Sequence, residues 1–187
     1  MATYLEQSIA QITAFEGSVP WMYLDTVGKV TVGVGLMLPN LGTALALPFL
    51  LGDTPATTDE ITEDFARVAN MIPGRRPIFY HAPGSPQLST NEIQTKLAKV
   101  VNAFDADLRA HFTTYDGMPD PAKLALLDMI YNLGPSGLFN GYSTLMKAVQ
   151  AQDWTLAAAQ CRRHGPSAAR NTWTRTEFLA AATATPT

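Results

Sequence analysis

Glu16 and Asp25 stand nine residues apart, and the hydroxyl of Thr31 follows six residues later. Two carboxyl groups and a hydroxyl suit the cleavage of a glycosidic bond. One carboxylic acid protonates the leaving oxygen, while a carboxylate steers a water or offsets oxocarbenium charge. A threonine hydroxyl both donates and accepts, so Thr31 is fitted to hold that water. Taken alone, the spacing fits more readily a glutamate ahead of a helix-ending glycine and an aspartate in a turn.

The elements that must position these groups can be read from the flanking residues. Leu5, Ile9, Ile12 and Phe15 recur at helical spacing and predict a helix over residues 3–16, with Gly17 as its C-terminal stop and Glu16 in its last turn. From Tyr23 to Gly35 the chain is rich in β-branched residues and glycine, with a turn signal at Asp25 to Gly28. That pattern predicts a hairpin or a three-stranded sheet. Gly33 and Gly35 give backbone room there; without a third glycine and a following helix they make no nucleotide fingerprint.

Seven of the 13 prolines lie between residues 39 and 88, which marks a loop-rich insertion with short helices. Inside it, Thr57 and Glu60 predict a capping box starting a helix through Ile61, Phe65, Val68 and Met71, stopped by Pro73-Gly74. Ser89 and Glu92 predict a second box, and Ile93, Leu97, Val100, Phe104 and Leu108 line one face of a long helix to about Phe112. Asp120 reads as an N-cap followed by Pro121, with a helix stopped near Gly134-Pro135; Ser143 and Asp153 read as further caps, and a last helix begins near Ser167. The fold class is α+β and mostly helical.

Composition narrows the function. A chain of 187 residues with 47% hydrophobic and 16% charged residues is one globular domain, or two small lobes sharing a core. A net charge of −3 gives no electrostatic footprint for nucleic acid. Cys161 has no second cysteine to pair with, and His81, His111 and His164 lack metal-ligand spacing, so neither a metal nor another cofactor is expected. The first twenty residues hold Glu6 and Glu16 and no basic residue, unlike a secretory signal. The longest apolar stretch, Leu41 to Leu51, is broken by Gly42 and Pro48 and is too short for a membrane span.

The order of residues adds a more specific signal. Phe15-Glu16-Gly17, then Tyr23-x-Asp25-x-x-Gly28-x-x-Thr31-x-Gly33-x-Gly35, resembles the catalytic segment of phage-type lysozymes, glycoside hydrolase family 24. Tyr131-Asn132-Leu133-Gly134, then Gly137, Phe139, Ser143-Thr144-Leu145 and Asp153-Trp154, resembles that family's helical-lobe signature, and the helix from Ser89 its lobe-linking helix. The resemblance covers about two thirds of the chain. It implies a lysozyme-like two-lobed fold within a single domain, 1–187. Residues 17–88 would form the small lobe with its Pro-rich insertion 39–88, residues 89–112 the linking helix, and residues 113–187 a helical lobe packed with the N-terminal helix 3–16.

The same resemblance implies a muramidase that hydrolyses the β-1,4 bond between N-acetylmuramic acid and N-acetylglucosamine, with inversion favoured. Glu16 falls on the family's general acid, Asp25 on its second carboxylate and Thr31 on its water-positioning threonine. Acting as an acid near neutral pH asks for a raised pKa, which partial burial of Glu16 would supply. Asn132 falls where the family lines the sugar groove, with a helix-end cap as the other reading; Arg170 and Arg175 resemble the arginines kept near the acid, with a solvated helix face as theirs. Leu36 replaces a common family histidine. Arg75-Arg76 and Phe79-Tyr80-His81 in the insertion offer sugar or partner contacts.

The implied partner is the peptidoglycan strand, met by a monomer that reaches the wall through a holin-type hole as an endolysin, or by contact-dependent secretion as an antibacterial effector. An effector implies an immunity or inhibitor protein as a second partner. An idle wall-binding module of the same fold and a chitin or chitosan glycanase are the competing readings.

Overall fold

A computed structural model describes residues 2–184, and the chain divides into two compact units. One comprises residues 16–97; the other comprises the described residues before and after them.

In the unit of residues 16–97, β1 (Val19–Leu24), β2 (Val30–Gly33) and β3 (Leu36–Met37) form an antiparallel sheet in that order. Tyr23 pairs with Thr31, Leu24 with Val30, and Thr31 with Met37, so Thr31 lies on the central strand. All four residues of β2 are buried, as expected of a strand covered on both faces.

The insertion covers this sheet and is more ordered than its proline content suggests. Asn40 caps α2 (Leu41–Leu45), its Oδ1 accepting from Thr43 N at 3.0 Å. A small hairpin pairs β4 (Leu50–Leu51) with β5 (Thr54–Pro55). The expected capping box starts α3 (Thr58–Ala69), with Glu60 N donating to Thr57 Oγ1 and Thr57 N to Glu60 Oε2. This helix ends at Ala69 with Asn70 as its C-cap, before the Met71 expected from periodicity. Arg67 ties its last turn to the following segment: Nη2 donates to Asp64 Oδ1 and to Tyr80 O, each at 2.7 Å. Past a 3₁₀ turn at Pro77–Tyr80, the chain returns beside the sheet. Leu88 N donates to Pro20 O at 2.8 Å, and Gln87 exchanges backbone bonds with Leu50. Met22, Val32, Phe49, Val68 and Tyr80 make a core shared by sheet and insertion.

In the other unit, α1 (Tyr4–Glu16) up to Phe15 and α4 (Thr90–His111) from Ala98 accompany α5 (Asp120–Gly141), α6 (Ser143–Gln150), α7 (Trp154–Gln160) and α8 (Ala168–Thr183). Ala122 to Ile130 of α5 are all buried, as for a helix enclosed all round, and α8 packs against both α5 and α7. Two expected boundaries differ. Pro119 occupies the N-cap of α5 and Asp120 makes no side-chain cap; Tyr142 precedes α6, so Ser143 is its first residue and not its cap. The stop at Gly134-Pro135 is a kink. Gly134 takes φ 69° and ψ 166°, a conformation natural to glycine, and Pro135 opens a second helical run to Gly141. Asp153 and Ser167 do cap α7 and α8, accepting from Leu156 N at 2.9 Å and Arg170 N at 3.2 Å. Among the described residues no helix is long and apolar enough to cross a membrane.

Candidate active site

Asp25 follows β1 directly, and its side chain builds the turn into β2. Oδ1 accepts from Val27 N at 2.9 Å and Lys29 N at 2.8 Å, while Asp25 N donates to Lys29 O at 2.9 Å. Gly28 closes the turn at φ +79°, where its missing side chain avoids strain. With both amides on Oδ1, Oδ2 has no hydrogen-bond partner among the described residues. The carboxylate is therefore held in one orientation with one oxygen open.

Thr31 is bound to the backbone of the same residue, Lys29. Its side chain is 3% exposed, and Oγ1 donates to Lys29 O at 3.1 Å. Lys29 thus gives its N–H to Asp25 and receives from Thr31 on its carbonyl, which links the two side chains through the backbone of one residue, across its two flanking peptide groups. With its proton committed, the Thr31 hydroxyl faces any further ligand as an acceptor.

Glu16 ends α1, and Gly17 at φ +75° turns the chain toward β1. Glu16 is exposed, where partial burial was expected. Tyr23, opposite Thr31 in the sheet, connects the two acids. Its phenol is pushed above the ordinary pKa, first by burial, then by the negative charges of Asp25 and Glu16. Both carboxylates are thus within electrostatic reach of one hydroxyl. Sequence reasoning assigned Tyr23 no role, although its place opposite Thr31 follows from the hairpin register.

The other three candidates belong to the helical unit. Asn132 is exposed on α5, two residues before the Gly134 kink, and its amide makes no hydrogen bond among the described residues, so it is not acting as a cap. Arg170 lies on a buried face of α8, not a solvated one. It is 5% exposed, donates from Nε to Asp128 Oδ1 at 2.8 Å, and stacks 5.3 Å over Phe15. Arg175 is exposed, so the structure separates the environments of the two arginines.

Asp128 escaped the sequence reading. Besides Arg170, it accepts on Oδ2 from Arg163 Nη2 at 2.6 Å and from Thr174 Oγ1 at 2.8 Å, all within the buried interior. The available signal was an aspartate inside the apolar run Leu124 to Ile130. Leu36, half-buried in β3, presents a hydrocarbon side chain and pairs with Val32. In the insertion, Tyr80 is a core residue, Phe79 is exposed beneath Arg75, and His81 packs against Trp21 at 4.4 Å. Among the described residues no group of three or more His, Cys, Asp and Glu side chains is placed to hold a metal ion.

No protein-family model matches the chain, and no curated protein matches it. Among solved structures, the crystal structure of a P22 lysozyme mutant is similar with a TM-score of 0.57 at 15% identity, covering 96% of this chain and 99% of that one. Likeness over nearly the full length of both chains at so low an identity speaks to architecture: this chain has a lysozyme-like α+β fold, mostly helical with a small antiparallel sheet.

Proposed function

We propose that the protein is a glycan hydrolase of lysozyme type acting on peptidoglycan as a muramidase, with Glu16 as general acid, Asp25 as the second carboxylate and Thr31 as the residue that positions water. The observation that carries this reading is that Asp25 and Thr31 are both bound to the backbone of Lys29, with Asp25 Oδ2 open and Thr31 Oγ1 donating to Lys29 O. A water lodged between them meets two acceptors. It donates one proton to Asp25 Oδ2 and the other to Thr31 Oγ1, which turns its lone pairs outward as a nucleophile.

Attack of that water on the anomeric carbon, with the Glu16 proton passing to the leaving oxygen, gives hydrolysis with inversion. Because Glu16 is exposed, the desolvation an acid role calls for comes from bound glycan. The unpaired amide of Asn132 suits sugar hydroxyls and acetamido groups, which need a donor and an acceptor from one side chain. Arg170, already engaged with Asp128, serves the architecture of the helical unit.

Purified Gram-negative peptidoglycan, digested and analysed by mass spectrometry beside the Glu16→Gln protein, tests the proposal. We expect products with reducing N-acetylmuramic acid ends from the parent and a loss of at least about 100-fold in the variant, with folding retained. Anhydro ends would reassign the chemistry to a lytic transglycosylase. Absence of release by the folded parent would reject the hydrolase reading in favour of an idle wall-binding module.

A further inference from the structure

The helical unit holds an open pocket of about 590 Å³ where the connection from α7 meets the first half of α8. Cys161, Arg162, Arg163, His164, Asn171 and Arg175 line it, and its lining includes neither aspartate nor glutamate. In a chain with net charge −3, that gathers three of the 13 basic residues and one of three histidines around one cavity. The volume is within the range of small-ligand sites.

The cations differ in how they are used. Arg163 is 2% exposed and is paired with Asp128, whose charge it shares with Arg170, and its Nε is buried and lacks a hydrogen-bond partner among the described residues. Arg162 and Arg175 are exposed and form neither a salt bridge nor a side-chain hydrogen bond among the described residues. The field of Arg163 and Arg175 reaches the buried Cys161 thiol: burial pushes its pKa up, and both guanidiniums oppose that push. Asn171 is fixed by bonds to Arg163 N and O, each at 3.0 Å, which makes the wall between α7 and α8 rigid. Like charges held around a preformed cavity without a counter-charge repel one another until an anion enters.

We propose that this pocket is a binding site for an oxyanion, a carboxylate or a phosphate, held by Arg162 and Arg175, with His164 in the same lining. Planar guanidiniums present paired N–H donors that match two oxygens of either group. None of Glu16, Asp25 or Thr31 lines the pocket; of the candidate site residues only Arg175 does.

Titration of the ¹⁵N-labelled full chain with inorganic phosphate, and separately with acetyl-alanyl-alanine carrying a free C-terminal carboxylate, tests this at constant ionic strength. Saturable shifts confined to the amides of residues 161–175, with a Kd near or below about 1 mM for at least one probe, are expected. The tighter probe identifies the source of the oxyanion. R162Q/R175Q, which alters two exposed side chains, should keep the parent spectrum elsewhere and weaken binding at least about tenfold. No saturation by either probe up to about 50 mM, or equal affinity in the double variant, overturns the proposal.

Discussion

At the scale of single residues, Asp25 does two jobs that substitution can separate. Asparagine keeps an oxygen able to accept from Val27 N and Lys29 N, so the turn survives, but it replaces the open Oδ2 with a neutral donor. Asp25→Asn should therefore lower peptidoglycan turnover by about 100-fold or more while changing stability by about 1 kcal/mol at most. Asp25→Ala loses both functions, and chemical denaturation should show a further loss of about 1–2 kcal/mol relative to the asparagine variant. An equally unstable Asp25→Asn would mean that its charge, and not its hydrogen bonds, holds the turn. The placement of Glu16 at a helix end, Asp25 in a turn and Thr31 on the following strand was legible in sequence because these are local features. Tyr23 was legible only as part of a motif, since its electrostatic link to both acids depends on cross-strand register. The exposure of Glu16 was not legible, because neighbouring residue types do not report what covers a helix end.

Among elements, the sequence was most informative where a cap or a glycine decides the outcome. The box at Thr57, the caps at Ser89, Asp153 and Ser167 and the left-handed Gly17 and Gly28 follow from residues within four positions of one another, although Ser89 forms only the cap half of its expected box, accepting from Glu92 N. It was least informative where long-range contacts decide. The Asp128 bonds to Arg163, Arg170 and Thr174 span 35, 42 and 46 residues and join α5, the segment after α7 and α8. No local pattern encodes that pairing. Replacing Asp128 with asparagine keeps its shape and withdraws the charge that two buried guanidiniums share. We expect a loss of about 3–5 kcal/mol, because breaking a buried charge cluster from one side leaves cation desolvation uncompensated. In calorimetry that is a fall in Tm of roughly 10 °C for a chain of this length. A shift within about 2 °C would show that the cluster is neutral in energy. The insertion gives the converse lesson: its prolines suggested loops, yet Arg67, Gln87 and the Tyr80 core contact lock it into ordered structure that composition alone does not reveal.

For the whole molecule, net charge sets how it meets its proposed substrate. Basic wall-degrading enzymes gain encounter rate and adsorption from attraction to an anionic polymer, and salt removes that gain. With 13 basic against 16 acidic side chains, this chain has mild long-range repulsion instead. Raising ionic strength from about 10 mM to 150 mM shortens the Debye length from roughly 30 Å to 8 Å and screens that repulsion. Turnover on sedimented peptidoglycan should then hold steady or rise by up to about threefold across the range, where a basic enzyme would lose activity. The pocket around Arg162 and Arg175 sharpens the comparison. If its cations drive adsorption to wall carboxylates or phosphates, turnover will fall with salt in the parent and become salt-independent in R162Q/R175Q. A fall that persists in the double variant would place the attraction elsewhere, with the exposed Arg75 and Arg76 of the insertion as the next group to neutralise.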